Sequence, residues 1–441
     1  MDSMRGLVGA ALAALVLSTA ACGGTGASLA SLPGDGAAHL VPPDAIAFVS
    51  ADARLDTDQW RTVRDLVGPI HLPLGLDYDR DVKPAVGDEL NLAVLDVKEG
   101  KPEAVAIVKP SDESKLRALA AKFDEGDEHY TVRHVGDWAV VADSTDAFAA
   151  VSRAETGRSL ADVPQFQRAM EQLGRNALVV AYVGGRGSQL LSGKLRGLAY
   201  VAGLPETIAA RLAAEDDAVR LQVHLQQRKP APAYRPRLLG DVPSGALLAV
   251  SFKNAQRLLE RLALEPTLHD AAAGLERALG VSIGALAPVL RGEGVFYVTQ
   301  GVLLPTFVLE VESQNPAEAE HILRRLASKS TMLPLGVFTR GNRVFLSNGR
   351  PLQVSAGPKL VDDPPFKDAL AAADTPEDVT WLAYADLHRL VPVLQTLSQA
   401  LGSGGTQPRT EAPALDRLGT IVAFGARSGS TTSVELRVTR H

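Results

Sequence analysis

The chain contains very little cysteine and few aromatic residues. Cys22 is the one cysteine among 441 residues, which excludes an intrachain disulfide and a metal site built from cysteines. Phe, Trp and Tyr together make up 5% of the chain, which argues against an aromatic platform for glycans. The net charge is −6, so bulk electrostatics does not attract nucleic acid or anionic lipid head groups. The composition therefore predicts no nucleic-acid partner.

Apolar runs long enough to cross a membrane are also lacking. The apolar run near the start covers residues 6–17, which matches the core of a signal peptide and is too short for a transmembrane helix. Hydrophobic residues at 46% and charged residues at 22% are ordinary for a globular protein. The chain length suggests two or three domains.

The first residues follow the pattern of a bacterial lipoprotein signal peptide. Arg5 precedes the apolar run, and two alanines stand directly before Cys22, although Thr19 replaces the usual aliphatic residue of the motif. A cysteine at this position becomes the mature N-terminus and carries acyl chains. We therefore predict lipidation of Cys22 and a lipid-anchored location on the extracytoplasmic face of the cell membrane. The alternative is ordinary secretory cleavage after Ala21.

Several short phrases occur twice in the same order. SLADVPQFQRAM from residue 159 returns as KLVDDPPFKDAL from residue 359, and VPPDAIAFVS from residue 41 returns as VPSGALLAVS from residue 242. AYV at 181 returns as AYA at 383, and AVRLQV at 218 returns as SVELRV at 433. The offsets stay close to 200 until a Gly-rich stretch at 402–414 lengthens the second copy. This pattern predicts an internal duplication with a flexible insert at 402–414.

The repeats divide the chain into five parts. Each repeat alternates strand and helix signals, so we predict an α+β fold of two tandem homologous domains, each a mainly antiparallel sheet packed with helices. The predicted order is a signal peptide at 1–21, a flexible tether at 22–40, a first repeat at 41–228, a Pro-rich linker at 229–240 and a second repeat at 241–441.

The repeated phrase around residue 160 predicts a helix that begins with proline. Asp162 and Asp362 stand where an N-cap is expected, and Pro164 and Pro364 follow just inside the helix start. The apolar residues of the first copy fall at helical spacing, which predicts one buried face consisting of Phe166, Ala169, Met170 and Leu173. The same spacing in the second copy gives Phe366, Ala369, Leu370 and Ala373.

Four of these stretches resemble a known family. VPPDAIAFVS, VGDELNLAVL, SLADVPQFQRAM and ALVVAYV are similar to segments of the bacterial secreted and lipoprotein family called domain-of-unknown-function family 3352. The resemblance covers most of the mature chain, and its motifs are short. It implies an exported α+β protein and brings no catalytic residues.

One acidic stretch resembles part of a calcium-binding loop. Asp77, Asp79 and Asp81 alternate along the chain, and Asp88 stands at loop position twelve. Val82 replaces the glycine that makes the sharp turn of such a loop. A helix start capped by Asp77 is therefore the preferred interpretation, and a calcium site is the alternative.

Other motifs that signal chemistry are missing. The glycine-rich stretch before Lys194 has Ser188 where a phosphate-binding loop needs glycine, and Leu195 where it needs Ser or Thr. The nine histidines form no H-E-x-x-H motif. We therefore predict no cofactor and no catalytic residue.

The sequence favours a non-enzymatic binding, scaffolding or envelope-maintenance lipoprotein. Its expected partners are the membrane, through the N-terminal lipid, and an envelope protein or an amphiphilic ligand. One alternative is a carrier that holds a lipid or another amphiphile between sheet and helices. A second alternative is a hydrolase without a recognisable motif.

Replacing the lipidation residue tests the predicted anchor. Cys22→Ser removes the thiol that would receive the acyl chains, so we expect the variant to leave the membrane fraction or to remain unprocessed. Fractionation of cells and migration on a gel measure both outcomes. A variant that fractionates and migrates like the wild type would show that Cys22 carries no lipid.

Overall fold

The computed structural model contains two compact units. The first unit comprises residues up to 190 together with 205–228, and the second unit comprises 229–439. The residues that the structure describes are 34–68, 72, 75–98, 101–124, 129–174, 176–194, 205–215, 217–256, 283–301, 305–329, 334–349, 357–400 and 417–441. The predicted signal peptide, Cys22 and the predicted insert at 402–414 lie outside these residues.

The described residues of the first unit form eight strands. They run antiparallel in the order β4-β5-β3-β2-β1-β6-β7-β8. Their bounds are β1 (Ala47–Asp52), β2 (Glu89–Lys98), β3 (Lys101–Val108), β4 (Thr131–Val135), β5 (Trp138–Ala142), β6 (Val179–Val183), β7 (Thr207–Ala214) and β8 (Ala218–Gln226).

In the second unit, the residues that the structure describes also form eight strands, and these follow the same order. The sequence of neighbours is β12-β13-β11-β10-β9-β14-β15-β16, and the pairings from β12 to β15 are antiparallel. The bounds are β9 (Leu248–Lys253), β10 (Glu293–Thr299), β11 (Thr306–Glu312), β12 (Gly336–Arg340), β13 (Arg343–Ser347), β14 (Trp381–Asp386), β15 (Leu418–Ser428) and β16 (Thr431–Arg440).

Helices alternate with these strands, so the fold is a mixed α+β fold, as predicted. Their bounds are α1 (Asp58–Val67), α2 (Lys83–Val86), α3 (Glu113–Ala121), α4 (Thr145–Thr156), α5 (Pro164–Leu173), α6 (Gly185–Lys194), α7 (Ile283–Leu286), α8 (Pro316–Ala327), α9 (Pro364–Ala372) and α10 (Leu387–Ala400). Within the described ranges, no helix combines the length and the hydropathy that a membrane span requires.

The β4–β5 and β12–β13 hairpins each contain a glycine in the turn. β4 and β5 are joined through Gly136, which has a φ of 55°, and β12 and β13 are joined through Gly341, which has a φ of 63°. Glycine adopts positive φ without steric cost, and two-residue hairpin turns need it. The glycine in each turn therefore accounts for the tight connection between the two strands.

The repeated phrase forms a buried helix in both units. Pro164 and Pro364 are the first residues of α5 and α9, as predicted. Phe166 and Phe366 are both buried, and each meets a tyrosine edge to face. The ring centroids lie 5.2 Å apart for Phe166 and Tyr182 and 5.0 Å apart for Phe366 and Tyr384. Such pairs contribute about 0.5–1.5 kcal/mol of stability beyond that gained from burying the rings.

The predicted caps of these two helices are wrong. Asp162 ends a 3-10 turn, and its carboxylate accepts hydrogen bonds from the backbone N–H and hydroxyl of Ser159. Asp362 is exposed and forms a 3.6 Å ion pair with Lys367. The chain makes an additional turn before each proline, so the N-cap falls one residue later than the sequence pattern suggested, at Val163 and Asp363.

Two boundaries of the predicted organisation also need correction. The tether was expected to extend to residue 40, but Ala37, Ala38 and Leu40 are buried in the core of the first unit. The linker was expected to extend to residue 240, but Tyr234, Leu238 and Leu239 are buried in the core of the second unit. Apolar residues within these Pro- and Gly-containing stretches bury their side chains in the cores. This burial outweighs the flexibility that the composition suggests.

Truncating the two phenylalanines tests whether the repeated helix anchors each core. Phe166→Ala and Phe366→Ala should each lower the free energy of unfolding by about 3–5 kcal/mol, because each leaves a cavity in a packed core. Urea denaturation of both single variants and of the double variant measures the effect. Leu190→Ala is the control, because that side chain is 44% exposed and should change stability by less than about 0.5 kcal/mol. If both phenylalanine variants lose less than about 1 kcal/mol of unfolding free energy, the two rings do not anchor the cores.

Candidate functional site

The residues of the predicted calcium loop bind one another and nearby cations. Asp77 caps a helical turn by accepting a hydrogen bond of 2.8 Å from the backbone N–H of Arg80, which confirms the helix-start interpretation. Asp81 accepts from the Arg80 guanidinium at 3.0 Å and lies 3.7 Å from the Lys122 ammonium. The hydrogen bond from Arg80 is the main reason that the pKa of Asp81 lies far below its ordinary value. Asp79 and Asp88 are exposed.

No metal centre stands out among the residues described. They contain no group of three or more His, Cys, Asp or Glu side chains arranged to hold an ion. Ser282, which occupies the position of Asp77 in the second repeat, lies outside the described residues.

A charged groove lies in the first unit. It has a volume of about 420 Å³ and is bordered by the turn before β1, the β2–β3 hairpin, α4 and the start of α6. Eight charged side chains line it, four acidic and four basic, namely Asp44, Asp96, Glu103, Asp146, Lys98, Arg153, Arg158 and Arg186. We call this feature the charged groove.

Lys98 neutralises two carboxylates on one side of the charged groove. Its ammonium lies 2.9 Å from Glu103 and 3.6 Å from Asp146. The hydrogen bond to Glu103 is the main reason that the pKa of Lys98 is raised. Glu103 also accepts a hydrogen bond of 2.8 Å from the Ser144 hydroxyl, which connects the hairpin to the beginning of α4.

Arg186 neutralises two carboxylates on the other side. Its guanidinium donates to Asp44 at 3.2 Å and to Asp96 at 2.8 Å. The start of α6 can hold Arg186 there because Gly187 lets the helix approach the chain before β1. A Cβ atom on Gly187 would lie 2.2 Å from the backbone oxygen of Ile46, which is closer than real contacts allow.

Arg153 and Arg158 are the two remaining cations of the charged groove. Both are exposed, and neither forms a salt bridge with any side chain in the described ranges. Gly157 ends α4 between them, and a Cβ atom at this position would lie 2.9 Å from the backbone oxygen of Arg153. The four carboxylates are therefore all paired, whereas the guanidinium groups of Arg153 and Arg158 form no side-chain hydrogen bond or salt bridge in the described ranges, and Arg158 interacts with Asp162 over a longer distance.

The charged groove lacks the geometry of a nucleophilic site. Ser144 is the hydroxyl that contacts its lining, and this hydroxyl donates to Glu103 while accepting a hydrogen bond of 3.1 Å from the Ala147 backbone at the start of α4. A serine engaged as a helix cap is held in place for structure. The arrangement is suited to the recognition of charge.

A second cavity lies in the second unit and has a different lining. Its volume is about 560 Å³, and it is bordered mainly by uncharged polar side chains, among them Asn254, Gln256 and Asn315. Gln256 accepts a hydrogen bond of 2.8 Å from Arg291, and Asn315 caps α8. These groups are engaged locally, so the charged groove is the stronger candidate for a binding site.

Sequence reasoning missed the charged groove. Its eight charged residues are spread from position 44 to position 186, and none of them belongs to a known motif. The one local signal is the pair Lys98 and Glu103, which flank the turn between two apolar strands.

Comparisons with known proteins identify no relative in sequence. No family model matches the chain, and no curated protein matches it. Among solved structures, crystal forms III and I of TP0453 are similar with a TM-score of 0.22 each, at 8% and 9% identity. Each match covers 73% of this chain and 94% of that chain. Similarity at this level supports no conclusion about fold or function.

Adding one methyl group at Gly187 tests the close approach that positions Arg186. Gly187→Ala should lower the free energy of unfolding by about 1–3 kcal/mol, because the added carbon collides with a backbone oxygen and the helix must move away. Gly240→Ala is the matched control, since a Cβ atom there meets nothing within 4 Å. Chemical denaturation compares the two variants. Equal effects would show that α6 tolerates the extra carbon without moving.

Proposed function

We propose that this protein is a lipid-anchored extracytoplasmic binding protein without catalytic activity, and that the charged groove recognises a ligand carrying an anionic group. The observation that carries the proposal is that Arg153 and Arg158 form no side-chain hydrogen bond or salt bridge among the described residues, in a groove whose four carboxylates are all paired. The location and the lipid anchor rest on the sequence around Cys22.

The chemistry of arginine supports an oxyanion as the recognised group. A guanidinium presents its N–H donors in a planar fork that matches a carboxylate or a phosphate. The groove volume of about 420 Å³ falls within the range of sites for small molecules. A small molecule with a carboxylate or phosphate group therefore fits the site in both charge and size.

The lining of the groove argues against the two alternatives. A carrier of amphiphiles would need an apolar cavity, whereas charged side chains surround this one. Among the described residues, packed side chains such as Phe166 and Phe366 lie in the core between strands and helices of each unit. A hydrolase would need an activated nucleophile, and Ser144 serves as a helix cap.

We also propose that the two units arose by duplication. The identical strand order of the two units and the recurring phrases at nearly constant offset support this proposal. The resemblance of the sequence to domain-of-unknown-function family 3352 is consistent with an exported protein of this kind.

Removing both unengaged cations tests the proposed binding site. We expect titration with inorganic phosphate, and separately with citrate, to shift the Nε–Hε NMR signals of Arg153 and Arg158 in a saturable manner. The double variant Arg153→Gln with Arg158→Gln should bind at least about tenfold more weakly, because each charge-assisted hydrogen bond contributes about 1.5–3 kcal/mol.

Arg117→Gln provides the matched control. Arg117 is also an exposed helical arginine, but its guanidinium is paired with Glu113 on α3. This variant should bind both anions like the wild type. If neither anion produces a saturable shift, or if the control loses affinity as the double variant does, the charged groove is not an oxyanion site.

A further inference from the structure

A glutamate lies in the core of the second unit. Glu310 is on β11, opposite Val295 of β10 and Phe345 of β13, and it is 0% exposed. Its Oε1 atom accepts a hydrogen bond of 2.9 Å from Arg343. Its Oε2 atom is buried and has no hydrogen-bond partner among the described residues. A buried carboxylate with one oxygen unsatisfied is costly when it is ionised.

The charged and titratable groups around Glu310 come from every strand and turn packed against it. Arg343 belongs to β13, Glu312 to β11 itself, Tyr297 to β10, and Asp241 to the turn before β9. The Arg343 guanidinium also donates to Asp241, so one cation is shared by two carboxylates. The Tyr297 hydroxyl is buried without a partner among the described residues. Glu312 is paired with Arg237 at 3.0 Å, so Glu310 and Asp241 are the two carboxylates that share Arg343.

The first unit has no such cluster at the corresponding place. Ile107 on β3 lies opposite Asn91 and Val140, as Glu310 lies opposite its own partners, and it is fully buried. Leu40 and Trp138 occupy the positions that Asp241 and Arg343 hold in the second unit. The acidic cluster is therefore specific to the second unit, which makes the first unit an internal control.

Burial in this apolar surrounding raises the pKa of Glu310 to about 7. Burial is the largest cause, Arg343 opposes it, and Asp241 and Glu312 add to it. In the unfolded chain the same group titrates near its ordinary pKa of 4.5. The folded state therefore binds a proton that the unfolded state has already lost between these two values. The contribution of Glu310 to stability therefore rises as the pH falls from 7 to 4.5 and is lowest above pH 7.

We propose that the carboxyl group of Glu310 is a proton-binding site through which acidification of the surrounding medium stabilises the second unit. Protonation removes the charge that the core cannot satisfy and leaves Arg343 paired with Asp241. The proposal is independent of the ligand proposed for the charged groove.

Hydrogen exchange resolved by mass spectrometry tests this proposal on the full chain in detergent. Peptides from β10 and β11 should become more protected when the pH falls from ~7.5 to ~5.5, after correction for intrinsic exchange rates. The pKa values of about 7 and 4.5 correspond to about a 20-fold increase in protection. Glu310→Gln should be well protected at both pH values, and peptides from β2 and β3 should not show the pH effect.

Two further measurements keep the test independent of how one variant folds. Glu310→Ile places in the second unit the residue that the first unit has, and it should also remove the pH dependence. Carbon-13 NMR of labelled glutamate carboxyls in the wild type should show one group that titrates near pH 7 and disappears in Glu310→Gln. If every glutamate titrates near 4.5, or if wild type and both variants respond equally to pH, the proposal is wrong.

Discussion

The edge-to-face contact between a helix phenylalanine and a sheet tyrosine determines where the charged groove forms. Phe166 fixes α5 over β6 through Tyr182, and the turn that leads into α5 is thereby held against the start of the unit. There the backbone N–H of Leu160 donates a hydrogen bond of 2.7 Å to the oxygen of Val41. Asp44 follows Val41, and Arg158 precedes Leu160, so this aromatic packing brings two walls of the charged groove together.

Much of the fold could be predicted from the sequence because its signals are local. Helical spacing identified the buried face of α5, and the proline at its first position marked where the helix begins. These patterns depend on residues within about one or two turns of each other. The strand order depends on contacts between distant segments, and for that reason the sequence supported only a statement about antiparallel sheets.

The candidate site could not be predicted because tertiary contacts decide which charges remain unpaired. Lys98 and Arg186 look like Arg153 and Arg158 in the sequence, and only the fold shows that the first two are engaged. Glu310 was equally hidden. Its strand is covered on both faces, by the core that contains Val308 and by the one that contains Val311, so alternation of apolar and polar residues does not mark an exposed side.

The strands at the end of each order also have a consequence for behaviour at high local concentration. β4 and β12 each stand at one end of the strand order of their unit and are five residues long. They carry exposed basic side chains, with Arg133 on β4 and Arg340 on β12. Short, charged terminal strands are poor templates for the addition of strands from other molecules. Copies crowded side by side would therefore repel one another at these strands, which disfavours fibrous aggregation.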